Sequence, residues 1–148
     1  MTQEYVVQAS DTIDAPAARI FELLADPAKQ AQWDGNNNVG EAESGQQVSA
    51  VGDVFTVRLT NDKVRDNHVV EFAQDRLIAW KPANEGQAPA GHLWRWQLEE
   101  RGDGTTVVTH TYDWSELTDQ ARLPKARSID ASYLAASIER LKEVVTGR

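Results

Sequence analysis

The side chains best suited to chemistry fall on two segments joined by a short glycine-containing loop. Residues 93–101 and 105–114 have the composition of β-strands, and Gly102-Asp103-Gly104 between them is typical of a hairpin loop. A three-residue loop fixes which residues of the two strands lie opposite each other. The predicted opposed pairs are Leu98 with Val108, Trp96 with His110, Trp94 with Tyr112 and His92 with Trp114.

The two faces of this hairpin differ in composition. Directly opposed residues share a face of the sheet, so one face is predicted to be rich in rings. The other face is predicted to be polar and to face solvent, and it carries Arg95, Gln97, Glu99, Thr109, Thr111 and Asp113. A two-residue turn would instead shift the register by one residue and bring Thr109 and Thr111 inward.

Neighbouring strands extend the ring-bearing face. Over residues 64–72 apolar and polar residues alternate, and this period of two places His68, and with it Asp66, on the inner face. The same parity places Trp80 of the segment 77–81 on that face. All three histidines of the chain are therefore predicted to face inward.

Such a face has the chemistry of a wall that binds a flat molecule. Aromatic rings offer large apolar area, and Trp, Tyr and His each keep one polar atom, which suits an aromatic or polycyclic ligand with a few oxygen functions. The residues predicted to bind it are Trp80, Trp94, Trp96, His68, His92, His110 and Tyr112. The alternative is that the tryptophans fill the space themselves and leave a packed core. Because each unpartnered buried polar group costs about 1–3 kcal/mol, we expect these polar atoms to meet one another, water or a ligand.

Asp66 and His68 are the first candidates for catalysis. They lie two residues apart on one strand, about 6.8 Å at roughly 3.4 Å per residue, so their side chains must lean together to form a pair. Such a pair would give a general base for proton abstraction next to a carbonyl, with Tyr112 or His110 polarising the carbonyl oxygen. The alternative is that Asp66 lies in water near a strand end and that His68 only forms hydrogen bonds at the cavity wall.

The sequence has no motif that supports a metal site, a nucleotide cofactor or a serine nucleophile. No His-x-His or His-Glu-x-x-His spacing occurs, and His68 is expected on a strand that is not adjacent to that of His92, so we predict no metal. The only Gly-x-Gly closes the hairpin instead of opening a helix, and we predict no cofactor. Ser115 and Ser128 lack the flanking glycines of a nucleophile elbow.

A small basic group precedes the last predicted helix. It consists of Arg122, Lys125 and Arg127. These side chains would suit an acidic partner or a ligand carboxylate at the cavity mouth, but the pattern favours a solvated loop face.

The elements that must position these residues follow from the periodicity. Residues 5–13 read as a strand, Asp14-Ala15-Pro16 begins a helix, and Asp26-Pro27 ends it and begins a second short helix that ends near Trp33. Period-two segments then predict an antiparallel meander over residues 54–59, 64–72, 77–81, 93–101 and 105–114. Apolar residues at three- and four-residue steps predict a helix over 129–146, with Gly147 at its end.

This order predicts an α+β fold in which a curved antiparallel sheet of six or seven strands wraps around a long C-terminal helix. Two short helices follow the first strand. A single helix cannot cover so wide a sheet flatly, so the twisted sheet must curl around it, and curling leaves a gap.

Composition limits the class of protein. The 148 residues fit one domain over residues 1–148. The chain has 15 Lys+Arg against 23 Asp+Glu, a formal charge of −8, which disfavours nucleic-acid binding. Absence of cysteine excludes a disulfide framework and a thiol nucleophile. No apolar run approaches the ~20 residues of a membrane span, and the N-terminal residues lack a signal pattern, so we expect a cytoplasmic protein without membrane insertion.

Four segments of the chain carry a family resemblance. They are Ile13-Asp14-Ala15-Pro16 with Ile20-Phe21, Asp26-Pro27 leading to Trp33-Asp34-Gly35, the strand entry Val51-Gly52-Asp53-Val54-Phe55, and the closing helix. With them the chain resembles the START-like or SRPBCC superfamily, the helix-grip fold, in its polyketide cyclase/dehydrase-like branch. The resemblance implies a cavity between sheet and long helix that holds a hydrophobic small molecule. Because the superfamily includes carriers, enzymes and chaperone-associated modules, it does not select one activity.

Binding of a hydrophobic, aromatic or polycyclic small molecule is the leading hypothesis. The alternative is a polyketide cyclase- or dehydratase-type enzyme that uses general acid–base catalysis in the same cavity. A third possibility, a protein-interaction module, is disfavoured by scattered surface charge without an evident apolar patch. The sequence makes no prediction of the oligomeric state.

Overall fold

The computed structural model describes residues 5–147. Met1–Glu4, part of the segment that lacks a signal pattern, lie outside the described residues. The strands are β1 (Val6–Ile13), β2 (Val39–Glu41), β3 (Val54–Leu59), β4 (Val64–Ala73), β5 (Leu77–Asn84), β6 (Leu93–Glu100) and β7 (Thr106–Asp113). The α-helices are α1 (Ala17–Ala25), α2 (Gln30–Trp33), α3 (Leu123–Ser128) and α4 (Ala131–Thr146), and 3-10 turns at Pro27–Lys29 and Gln120–Arg122 precede α2 and α3.

The strands form one antiparallel sheet in the order β1-β7-β6-β5-β4-β3-β2. The first strand therefore pairs with the last, and the meander completes the sheet. The predicted α+β helix-grip architecture is confirmed. Within the described residues two elements had not been predicted: β2 lies in a stretch read as a loop, and α3 precedes the long helix.

Helix α4 is the element around which the sheet curves. The side chain of Asp130 accepts a hydrogen bond from the backbone N–H of Tyr133 and caps its start, and Gly147, at a φ of 75°, ends it. Its buried stripe includes Leu134, Ile138 and Leu141, and the helix packs against β1, β7 and α2. The predicted helix began two residues too early, because Ile129 is buried but precedes the cap.

The two short helices after β1 are present, although their start differs from the prediction. Pro16 occupies the position before α1, and Asp14 makes no cap; instead Glu100 of β6 accepts a hydrogen bond from the Ala17 N–H at 3.2 Å. Trp33 ends α2, and its indole Nε1 donates to the Leu23 carbonyl at 2.8 Å. This bond fixes the angle between α1 and α2.

The hairpin register between β6 and β7 is as predicted. Trp96 pairs with His110, and Trp94 pairs with Tyr112. One residue of the polar face departs from the prediction, because Thr111 is fully buried. It lies between neighbouring strands, and Gln8 of β1 donates to its hydroxyl at 3.1 Å. The predicted solvent exposure was wrong at this position, because the cross-strand neighbours Gln8 and Arg95 flank Thr111 on both sides.

The predicted inward orientation of Asp66 and His68 is wrong. The ladder between β4 and β5 is interrupted by a bulge between Val69 and Glu71, and the bulge reverses the side-chain alternation along β4. Asn67 and Val69 are buried before it, and Phe72 packs against the core after it. A period of two counted back from Phe72 across the bulge therefore places Asp66 and His68 on the inner face, whereas they lie on the outer one.

None of the helices within residues 5–147 combines the length and the apolar character needed to cross a bilayer.

Candidate functional site

A cavity of about 260 Å³ lies between the inner face of the sheet and the helices. Its walls come from β2 to β7, from α2 and the loop after it, from residues 121–129 and from α4. The exposed side chains of Asn61, Ala121 and Lys125 lie at its mouth. The sheet therefore curves around a hollow, as the resemblance implied, and does not close completely on α4.

Five of the predicted ligand-binding residues lie on the cavity wall: Trp80, Trp94, His92, His110 and Tyr112. Their part in ligand binding stays a prediction. The hairpin register brings four of them together, and the pairing of Trp80 with Trp94 between β5 and β6 adds the fifth. The inner face of three adjacent strands thus supplies one continuous aromatic wall.

His110 is held between two indole rings. Its imidazole stacks on Trp96 with ring centroids 3.7 Å apart and on Trp94 with centroids 5.7 Å apart, both at 16° between planes. Its Nδ1 is 3.0 Å from the carbonyl oxygen of Arg95. Because a carbonyl oxygen only accepts, Nδ1 carries the proton and Nε2 is left as an acceptor. Burial lowers the pKa of His110 to about 3, so the ring is neutral at pH 7.

His92 is the least satisfied polar residue of the wall. Its side chain is 7% exposed, and its Nδ1 has no hydrogen-bond partner within the described residues. Burial above all, and then the positive charges of the nearby Arg122 and Arg65 guanidinium groups, lower the pKa of His92 to about 4. The ring is neutral at pH 7 and keeps one N–H to donate.

Two tyrosines add hydroxyl groups to the cavity. Tyr112 lies on β7 and Tyr133 on α4, and between residues 5 and 147 neither hydroxyl has a hydrogen-bond partner. Burial raises the pKa of both phenols, that of Tyr133 to about 12. Both therefore stay protonated and are able to donate to a ligand oxygen.

Trp96 does not line the cavity, contrary to the prediction. It is fully buried, and its ring packs edge-on against Trp33, with centroids 5.3 Å apart, as well as against His110. Its indole N–H has no partner within residues 5–147. Trp96 belongs to the core that supports His110, because helix α2 covers its side of the sheet.

Asp66 and His68 lie away from the cavity, on the outer face of β4. Asp66 accepts hydrogen bonds from the Thr56 hydroxyl at 2.9 Å and from the Gly86 N–H at 3.0 Å. These bonds, the Gly86 one foremost, lower the pKa of the Asp66 carboxyl. The two residues form no hydrogen bond with each other, so they do not make the catalytic pair that the sequence suggested.

Several wall residues were not predicted as site residues. On β4 the bulge turns Arg65 and Asn67 inward, and Trp33 and Tyr133 reach the cavity from α2 and α4. Of the basic group before α4, Arg122 and Lys125 also line it, although the sequence favoured a solvated face. The helical spacing of Tyr133 from Ser137 on α4 was a usable signal. The adjacent apolar residues Val69 and Val70, which interrupt the alternation along β4, were a signal for the bulge.

The three histidines do not converge. His92 and His110 face the cavity, and His68 lies on the other side of the sheet. No group of three or more His, Asp or Glu side chains suited to a metal ion occurs among the described residues.

A family model described as "Polyketide cyclase / dehydrase and lipid transport" matches residues 5–146. The chain belongs to this family. The match covers both the wall and the helix that closes the cavity. The family description includes both catalysis and transport, so membership supports ligand binding or cyclase-like activity and does not choose between them.

Two relatives from Mycobacterium tuberculosis match part of this family member. The uncharacterized protein Rv0088 is 28% identical over 111 residues, and the uncharacterized protein MT0096 is 31% identical over 110 residues. Each match covers 73% of this chain and 47% of the relative. The chain therefore spans about half the length of the curated relatives it matches.

Solved structures share the fold of this polyketide cyclase/dehydrase family member. Protein MLL2253 from Mesorhizobium loti superposes with a TM-score of 0.69 at 14% identity, over 96% of this chain and 97% of that chain. The Aha1 dimer from Colwellia psychrerythraea superposes with a TM-score of 0.65 at 18% identity, over 96% of each chain. At such identities the likeness concerns the fold alone.

Proposed function

We propose that this protein binds a hydrophobic small molecule containing one or two aromatic rings and a few polar atoms, in the cavity between the sheet and α4. The observation that carries the proposal is the continuous aromatic wall formed by Trp80, Trp94, His110 and Tyr112 beside an open space. The edges of these rings, and the faces that are not stacked on one another, offer apolar surface to a ligand ring. We take residues 1–148 as one ligand-binding domain.

The size of the cavity narrows the ligand class. A volume of about 260 Å³ lies just below the roughly 300–1,000 Å³ of typical ligand pockets. One or two rings fit such a space better than a long polycyclic chain. The polycyclic molecules suggested by the sequence are therefore the less favoured part of the proposal.

Polar atoms without hydrogen-bond partners favour a ligand that forms specific hydrogen bonds over a hydrocarbon that is held by apolar contacts alone. The hydroxyls of Tyr112 and Tyr133 and the Nδ1 of His92 have no partner within the described residues. A ligand with oxygen functions would accept hydrogen bonds from these donors, whereas a pure hydrocarbon would leave them unsatisfied.

A cyclase or dehydratase acting in the same cavity is the second candidate. It is favoured by the acceptor Nε2 of His110, which makes no hydrogen bond within residues 5–147. A pKa of about 3 makes this imidazole a weak base at neutral pH, because efficient general bases have a pKa near the working pH. Carrier function is therefore proposed first.

Calorimetric titration with a panel of one- and two-ring aromatic compounds tests the proposal. We expect Trp94→Ala to weaken binding by about tenfold or more, because it removes a large part of the aromatic wall. The matched control is Trp114→Phe, a buried tryptophan that is not on the cavity wall. Absence of binding across the panel, together with no small molecule retained in native mass spectrometry of the purified protein, would overturn it.

Turnover assays on the compounds that bind separate the two candidates. For an enzyme, His110→Gln is expected to lower turnover by about 10²–10⁴-fold. For a carrier, no product forms with the wild-type protein and the same variant changes affinity alone.

A further inference from the structure

The cavity mouth carries more positive than negative charge, although the whole chain has a formal charge of −8. Arg65, Arg122 and Lys125 line it, and Asp34 is the only acidic residue on the part of the wall that the structure describes. Both carboxylate oxygens of Asp34 already accept backbone N–H groups, from Asn36 and from residues 38 and 39, at 2.6–3.0 Å. The Asp34 carboxylate thus organises its own loop and does not neutralise the basic groups.

Arg65 is a half-buried guanidinium group without a counterion. Within residues 5–147 it forms no ion pair, and its one hydrogen bond is from Nη1 to the neighbouring Val64 carbonyl at 3.3 Å. Burial lowers the pKa of Arg65, and the positive charge of Arg122 lowers it further. Loss of hydration without a compensating anion is unfavourable, so an anion at this position would be bound strongly.

Arg122 is held beside Arg65 by two contacts. Its Nη2 donates to the Asn84 side-chain oxygen at 2.5 Å, and its Nε lies 3.3 Å from a carboxylate oxygen of Asp119. Asn84 is also the cross-strand partner of Arg65 in the β4–β5 ladder. Arg122 is therefore anchored close enough to Arg65 for the two positive charges to interact, and Asp119 offsets only part of them.

His92 supplies the second, independent sign of a missing ligand atom. It is 7% exposed, its Nδ1 has no partner among the described residues, and both guanidinium groups are near enough to affect its ionisation. This buried Nδ1 lies near two cations and the Asp119 carboxylate but meets no hydrogen-bond partner, and in its protonated tautomer it would donate to a ligand oxygen. An anionic oxygen between His92 and the two arginines would satisfy all three groups at once.

We propose that Arg65, Arg122 and His92 form a carboxylate subsite, so that the ligand is an aromatic acid whose ring lies on Trp80 and Trp94. This inference rests on the proposed function and adds the charge of the ligand. The planar fork of arginine matches the two oxygens of a carboxylate. Lys125, exposed at the mouth, increases the local positive potential for an approaching anion.

Paired ligands of equal shape and different charge test the inference. Benzoic, cinnamic and 2-naphthoic acids are titrated calorimetrically at pH 7.5 beside their neutral carboxamides. Wild-type protein is expected to bind at least one acid about 10- to 100-fold more tightly than its amide. Arg65→Gln and Arg122→Gln should each remove most of this preference for the acid over its amide. The control is Arg127→Gln, which removes one positive charge from the same basic group at a residue off the cavity wall. It should change neither the affinity for the acid nor that for the amide.

The outcomes separate the two proposals. If the amides bind as tightly as the acids, the carboxylate subsite is wrong and the aromatic pocket stands. If the acid preference survives in both arginine variants, the subsite is also wrong, because another group supplies the charge. If neither series binds, the aromatic pocket and the subsite fail together. Circular dichroism would detect whether the arginine variants unfold. In that case the comparison of acids with amides on wild-type protein, together with the NMR signal of His92, still tests the subsite. Acid binding should raise the pKa of His92, and an unchanged pKa would overturn the assignment.

Discussion

The imidazole of His110 lies flat on the indole of Trp96, with ring centroids 3.7 Å apart and ring planes 16° apart. The two residues are directly opposed on β6 and β7, so the hairpin register creates the contact. Trp96 faces the packed core, and His110 faces the cavity. One stacked pair therefore separates the supporting core from the cavity wall.

Stability is predicted to fall steeply between pH 6.5 and pH 5. Burial holds the pKa of His92 at about 4 and that of His110 at about 3, below the ordinary 6.5. Below pH 6.5 the unfolded chain binds protons that the folded protein excludes. Each histidine should therefore lower the free energy of unfolding by about 1.4 kcal/mol per pH unit, an effect that is absent above pH 6.5 and levels off at the folded pKa.

Urea unfolding at pH 7.5, 6.0 and 5.0 measures this effect. His92→Gln and His110→Gln should each reduce the pH dependence of the free energy of unfolding by about half. His68→Gln, which removes an imidazole from the outer face, is the control and should leave the dependence as in wild type. A free energy of unfolding that is constant from pH 7.5 to pH 5.0 would contradict the predicted burial of both rings.

Replacement of Trp96 and replacement of Trp94 are predicted to have different effects on stability and on ligand affinity. Trp96→Ala leaves a void in the packed core and should lower the free energy of unfolding by about 3 kcal/mol or more. Trp94 is half-buried at the cavity, so Trp94→Ala should cost less stability and more ligand affinity. Chemical denaturation and calorimetric titration of both variants make the comparison. Equal losses of stability would show that the cavity wall is also packed core.

Gly35 is predicted to tolerate no side chain. A Cβ there would lie 2.3 Å from the Ala136 carbonyl oxygen on α4, and the Gly35 N–H donates to Ser137 at 3.1 Å. Gly35→Ala should therefore separate the loop after α2 from α4 and lower the free energy of unfolding by about 1–3 kcal/mol. Gly102→Ala is the control, because a Cβ at Gly102 meets nothing within 4 Å. Thermal unfolding that is equally affected by both substitutions would refute the close approach.

Asp66 is predicted to contribute to the stability of the fold and not to ligand binding. Asp66→Ala removes the acceptor for Thr56 and Gly86 and should lower the free energy of unfolding by about 1 kcal/mol. The neighbouring Glu85→Ala, at an exposed residue, should change it by less than about 0.5 kcal/mol. Neither Asp66→Ala nor His68→Ala should alter ligand affinity by more than about twofold. A large loss of affinity or turnover in either variant would restore the pair as candidates for the site.

Local patterns were sufficient for the architecture and for the aromatic residues that the hairpin contributes to the cavity wall. The period of two over residues 93–101 and 105–114, with a three-residue loop between them, gave the correct pairing of Trp96 with His110 and of Trp94 with Tyr112. The three- and four-residue spacing before Gly147 gave the long helix to within two residues. These features depend on contacts between near neighbours, which the sequence records directly.

The rest of the cavity wall was decided by the tertiary structure. The bulge between Val69 and Glu71 turned Arg65 inward and His68 outward. The adjacent valines at positions 69 and 70 interrupt the alternation, but the sequence does not say which of them faces the core. Whether Trp96 or Trp94 borders the cavity depends on the position of α2, because Trp33 covers only the first of them. The neighbourhood of Arg65 and Arg122 likewise joins residues far apart in the chain through Asn84. Sequence alone thus determined which face of the β6–β7 hairpin carries rings, and the packing of distant segments determined which rings and charges meet in the cavity.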